Sequence, residues 1–137
     1  EGVIAGESAI CQVDEGEAGL RYRGYAIGDL AAKSSFEEVA YLLLFGHLPA
    51  RTALEEFADR LRRNRLLPEQ VHHFVEGLRP NMHPMNVLRT GISLLGLNDP
   101  DAQDGTREAN LRKSVRLLAQ IPHLIADSHQ VMAVGSL

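Results

Sequence analysis

The side chains best able to do chemistry in this sequence are six histidines, one cysteine and a set of arginines. His72 and His73 are adjacent, so on a helix their side chains diverge by ~100° and do not share a metal. His123 and His129 stand six apart, which is not the spacing of a ligand pair on one helix face. No H-E-x-x-H and no C-x-x-C occurs, and metal binding is not expected. Nucleophilic catalysis finds no foothold either: there is no G-x-S-x-G turn, and Cys11 lies on a predicted strand with no histidine near it in sequence. Phosphate-cradling glycine loops of the G-x-x-x-x-G-K-[ST] or G-x-G-x-x-G type are absent. Two isolated groups remain. Arg23, in the run YRGY with two exposed-looking tyrosines, has the planar fork that binds carboxylate or phosphate, although a surface salt bridge is the commoner fate. His83, in MHPM just before a predicted helix, reads first as a structural histidine donating to the loop backbone.

The elements that would position these groups are mostly helices. Ser35 and Glu38 have the spacing of a capping box, and Phe36, Val39, Ala40, Leu43 and Leu44 follow at helical intervals. Tyr41, Leu42 and Phe45 make this helix apolar almost all round, so it is expected at the centre of the packing, ending at Gly46 and Pro49. Before it, Ala9, Cys11 and Val13 alternate with Ile10, Gln12 and Asp14, EGEAG (15–19) makes a turn, and Leu20 and Tyr22 alternate with Arg21 and Arg23. This predicts a β-hairpin with one apolar face, too small to stand without helices or a partner chain. Residues 1–7 show no clear period. Gly24 breaks the second strand, and Tyr25–Ala32 reads as two helical turns with Ile27, Leu30 and Ala31 on one side.

Four more helices are predicted downstream. The first spans Arg51–Asn64 with Leu54, Phe57, Ala58 and Leu61 on its apolar stripe; the next begins near Pro68 with Val71, Phe74, Val75 and Leu78, and stops before Pro80. A third starts at Pro84 with Met85, Leu88, Ile92 and Leu95. Gly91 inside it suggests close approach of another backbone. After the polar loop 98–105 the last runs from about Thr106 to Val134, with Leu111, Val115, Leu118, Ile125 and Met132 in phase and a kink expected just before Pro122. The fold class is therefore mainly α and multi-helical with a short amino-terminal β-hairpin, with residues 1–137 as one domain.

Bulk composition narrows the function. The chain is 45% hydrophobic and 23% charged, ordinary for a globular protein, and lacks tryptophan. A net charge of −4 argues against nucleic acid as a partner. The arginines at 60, 62, 63 and 65 follow Glu55, Glu56 and Asp59, as on a solvated helix face with pairing one turn apart. One cysteine rules out an intramolecular disulfide and points to a reducing, cytoplasmic setting; no apolar run reaches the ~20 residues of a membrane span, and no signal peptide is visible. The first residue is Glu1 rather than Met and no helix cap follows Val134, so a piece of a longer chain is expected.

Three blocks, YRGYAIGDL (22–30), SSFEEVAYLLLFGHLP (34–49) and NMHPMNVLRTGISLLG (81–96), carry a resemblance. In this order and spacing they resemble the amino-terminal part of the citrate synthase family, which includes 2-methylcitrate synthase, and the likeness runs from Glu1 to about Val131. The resemblance implies a largely helical fold, homodimers or assemblies of dimers, and condensation of oxaloacetate with acetyl-CoA, or with propionyl-CoA in the methylcitrate branch. In such enzymes an aspartate removes the thioester proton, two histidines assist, and arginines hold the oxaloacetate carboxylates. This sequence has no G-P-L-H-G-G-like run, and His47, His72, His73, His83, His123 and His129 match none of the family's catalytic motifs. No catalytic, substrate-binding, cofactor or metal position is therefore assigned, and no cofactor beyond the acyl-CoA substrate of the full-length enzyme is expected. His83 lies in a matched block, which adds a second reading, a residue bordering the substrate cleft. The expected function is that of a fragment of the transferase, itself lacking the catalytic residues; the alternative is a non-catalytic helical dimerisation or scaffold module.

Overall fold

The computed structural model describes residues 7–13 and 19–134. Its elements, in order, are three strands, β1 (Cys11–Val13), β2 (Leu20–Tyr22) and β3 (Tyr25–Ala26), and six helices, α1 (Ile27–Lys33), α2 (Phe36–Phe45), α3 (Arg51–Arg63), α4 (Glu69–Glu76), α5 (Pro84–Leu97) and α6 (Arg107–Val134). The chain falls into two compact units, residues 1–58 and 59–137, with the division inside α3. The mainly helical fold with a small antiparallel sheet is as the sequence predicts. The irregular stretch read for residues 1–6, the turn residues 15–18 and the chain end after Val134 lie outside the described residues.

In the first unit the sheet has the order β1-β2-β3, both pairings antiparallel. Cys11 faces Tyr22 and Val13 faces Leu20, which puts the apolar residues of both strands on one face. That face stays open at its end, since Val13 is 80% exposed. The third strand corrects the sequence reading. Arg23 (φ 49°) and Gly24 (φ 89°) form a two-residue turn with both residues left-handed, so Tyr25 pairs back onto Tyr22 and helix α1 starts only at Ile27. Such turns match the twist of paired strands but ordinarily take Asn or Gly at the first position, which is why an arginine there gave no signal. The sheet leans on α1, whose Leu30 is buried.

Helix α2 has the predicted capping box: the Glu38 amide donates to Ser35 Oγ (3.2 Å) and the Ser35 amide to Glu38 Oε2 (2.7 Å). Gly46 ends it in the left-handed conformation at φ 91°, donating to the Leu42 carbonyl. Tyr41, Phe45 and Phe57 meet with ring centroids 4.4–6.0 Å apart, mostly edge to face. Of α2 only Ala40 and Leu42 are buried, and Phe36 is 61% exposed. The expectation of α2 as the hub of the packing is thus corrected: apolar residues cover more of its circumference than the elements around it enclose.

The second unit holds a core of Val71, Val75, Leu78, Val87, Leu95, Leu124 and Val131, where α4, α5 and α6 pack on one another. The stripe expected on α4 is the one that is buried, with Phe74 at its edge. On α5 and α6 the sequence reading is right in part: Leu95 and Val115 of the expected stripes are buried, and Leu88, Ile92 and Met132 pack against the core. The buried line of α5 is Val87, Gly91 and Leu95, and that of α6 is Ala109, Val115, Ala119, Leu124, Ser128 and Val131, whereas Met85 and Ile125 are exposed. Gly91, Ala119 and Ser128 look neutral in a hydrophobicity count although all three are buried, and the lack of a side chain at Gly91 is what lets α6 approach α5 there. The neighbour of Gly91 is a side chain, not the backbone expected: an added Cβ would lie 2.5 Å from Leu124 Cδ2 and 2.9 Å from Cδ1. Helix α6 continues on both sides of Pro122, at an exposed position where the ring leaves the Leu118 carbonyl without its usual amide partner.

Gly91→Ala sets two effects against each other. Alanine favours the helix by about 1 kcal/mol, but overpacking against a fully buried leucine costs about 1–3 kcal/mol. Net destabilisation of roughly 1 kcal/mol is expected, and Leu124→Ala alone should cost about 2–5 kcal/mol. In denaturant unfolding the double variant should be more stable than the sum of the two single losses, because the new methyl enters the space Leu124 vacates. A Gly91→Ala variant more stable than the parent would contradict the tight contact.

Candidate functional site

The start of α5 sets a few polar groups beside a cavity in the second unit. Pro84 occupies the first turn, where a missing N–H is no loss, and His83 is the N-cap. Its Nδ1 accepts from the Met85 amide at 3.2 Å, in the place usually filled by Ser, Asp or Asn. This keeps the histidine structural but reverses the expected direction: the ring accepts from the helix rather than donating to the loop. A neutral ring accepting at Nδ1 carries its proton on Nε2. Beside it opens a cavity of about 250 Å³ lined by Phe74, Leu78, Met82, His83, Asn86, Val87 and Thr90. His83, Asn86 and Thr90 can offer hydrogen bonds over an apolar floor, but no carboxylate lines the cavity. The arrangement can hold a small polar group; it lacks the paired acid and base of a proton-transfer site.

On the other side of the same helix end, a groove of about 330 Å³ between α5 and α6 is lined by Pro84, Met85, Leu88, Ile125, His129 and Met132. A shallower hollow of about 470 Å³ follows α5 along Met85, Leu88, Arg89 and Ile92. Met85 is 62% and Ile125 50% exposed, so this is an open apolar face.

The remaining candidates are dispersed. His72, His73 and His123 are exposed on α4 and α6. His47 is exposed after α2, edge-on to Tyr41 at 5.6 Å. Among the described residues no group of three or more His, Cys, Asp or Glu side chains could hold a metal ion. Cys11 is exposed on β1. Arg23 meets neither of its expected fates: its Nη2 donates to the Leu43 carbonyl at 3.1 Å, at the carbonyl-rich end of α2, where a cation is favoured. Its Nε is buried without a partner among the described residues. The side chain is thereby a tie from the sheet turn to α2. Of the basic cluster, Arg62 pairs with Asp59 one turn back, as the spacing predicts.

The strongest electrostatic feature was not singled out from the sequence. Arg116 holds Asp99 through two parallel bonds, Nε to Oδ2 at 2.8 Å and Nη2 to Oδ1 at 2.7 Å, and reaches Asp101 Oδ2 at 2.6 Å. Arg112 binds Asp101 through Nε (3.0 Å) and Nη2 (2.7 Å). The loop between α5 and α6 is thus pinned to the first turns of α6, where Thr106 Oγ1 accepts from the Ala109 amide. Burial pushes the Asp99 carboxyl up, but hydrogen bonds from Arg116 and the Asp101 amide outweigh it and hold the pKa below the usual value. Hydrogen bonds from Arg112, then Arg116, hold Asp101 well below the carboxylate range. The signal was present: two aspartates two apart in the loop, and two arginines four apart on one face of the next helix.

Two outcomes follow from this geometry. Carboxylates held low in the folded state stabilise it fully above their unfolded value of about 4, and that contribution drains away as pH falls towards the depressed values. Arg116→Met should lower Tm at neutral pH by roughly 5–10 °C and flatten the loss of stability between neutral pH and pH 3, measured by thermal unfolding across pH. An unchanged acid limb would refute the pinning role. His83→Ala should cost about 1 kcal/mol as a lost cap, with His83→Asn recovering most of it; equal losses in both would mean that the imidazole does more than cap.

Comparison with known proteins places this geometry in a family. Residues 1–136 match the family model described as "Citrate synthase, C-terminal domain". The chain is 42% identical over 127 residues to Citrate synthase 2 of Bacillus subtilis, covering 92% of this chain and 34% of that protein. It is also 42% identical over 125 residues to a 2-methylcitrate synthase of Mycobacterium tuberculosis, covering 91% of this chain and 31% of that protein. The fold matches the crystal structure of the citrate synthase of Pyrobaculum aerophilum with a TM-score of 0.89 at 29% identity, over 98% of this chain and 36% of that one. The chain spans about a third of the length of these relatives. With its core, its helix order and nearly every residue matched in this way, the chain belongs to the citrate synthase family.

Proposed function

We propose that residues 1–137 are the amino-terminal part of an acyltransferase that condenses acetyl-CoA with oxaloacetate to give citrate and CoA. The observation that carries this reading is the 42% identity to Citrate synthase 2 of Bacillus subtilis over 92% of the chain. The amino-terminal placement rests on the order of the three sequence blocks; the rest of the reading frame checks it, since most of the remaining protein should follow Leu137. A second reading has equal identity behind it. The 2-methylcitrate synthase relative is also 42% identical, which supports propionyl-CoA as the alternative thioester.

Catalysis belongs, on this reading, to the whole protein and not to these residues alone. Forming an enol from a thioester needs a base at carbon and a hydrogen-bond donor at oxygen together. The cavity beside His83 has donors and no carboxylate. Residues 1–137 serve instead as scaffold, and the open apolar face of α5 and α6 supports self-association of the protein through these helices. No helix among the described residues is long and apolar enough to cross a membrane.

The full-length protein should release CoA from acetyl-CoA and oxaloacetate, and the ratio of its kcat/KM for acetyl-CoA and propionyl-CoA assigns the thioester. Full-length protein active on neither would overturn the transferase reading. Purified residues 1–137 should show no CoA release above the uncatalysed background; turnover by this piece would overturn its role as scaffold. In sedimentation at micromolar concentration the piece should run as an oligomer or aggregate. A well-behaved 15.1 kDa monomer that binds no hydrophobic dye would remove the support for association.

A further inference from the structure

We draw no further inference here: the strongest candidate, the apolar groove between α5 and α6 beside Met85, Ile125 and Met132, belongs to the self-association face already described.

Discussion

Leu124 occupies the space that any side chain at position 91 would need, and the second unit is assembled around that exclusion. Helix packing distances are set by the side chains at the crossing, so a glycine on one helix lets a leucine from the other come to rest close to its backbone. Once this contact fixes how α5 and α6 approach, Val87 and Leu95 on either side of Gly91 meet the same core as Val131, and α4 supplies Val71 and Val75. The ends of the pair are held by different chemistry. A histidine cap starts α5, and two arginines of α6 grip the loop that joins the helices. Apolar contact sets the spacing in the middle, while charge and hydrogen bonds fix the register at the ends.

How far the sequence reveals this depends on whether the signal is local. The capping box of α2, the left-handed stop at Gly46 and the proline starts of α4 and α5 are legible because each needs only a few adjacent residues. The stripe of α4 is legible because large side chains fill it. The buried faces of α5 and α6 are legible only in part: Leu95 and Val115 are large enough to read, but Gly91, Ala119 and Ser128 have little or no side chain to announce a buried position, while Met85 and Ile125 look like core and are exposed. Strand β3 escapes for a related reason. Its turn holds an arginine at positive φ, a conformation that the residue type disfavours, and the hydrogen bond to the Leu43 carbonyl that goes with it spans twenty residues of sequence.

The candidate site shows the same division. His83 is visible as a histidine before a helix-opening proline, but only three dimensions show its ring accepting from that helix and bordering a cavity. The histidines that might have suggested a catalytic centre stand apart at exposed positions along α4, α6 and the end of α2. The three blocks that carry the resemblance hold structural features in this chain: a helix cap, a glycine at a crossing, a turn tied to a helix end. A fold can keep these for packing alone, and the reactive groups of such an enzyme need not lie on the elements that are easiest to recognise.

Cys11 has a practical consequence. It is the only thiol in the chain and it is exposed at an edge strand of the sheet. A maleimide dye would therefore attach at one known place without any substitution, and its emission would report on the sheet rather than on the helical core. The same thiol can join two chains covalently in air. Under a reductant such cross-linked pairs fall apart, whereas pairs held by apolar surface persist, so the two kinds of pairing are separable on a single gel-filtration column.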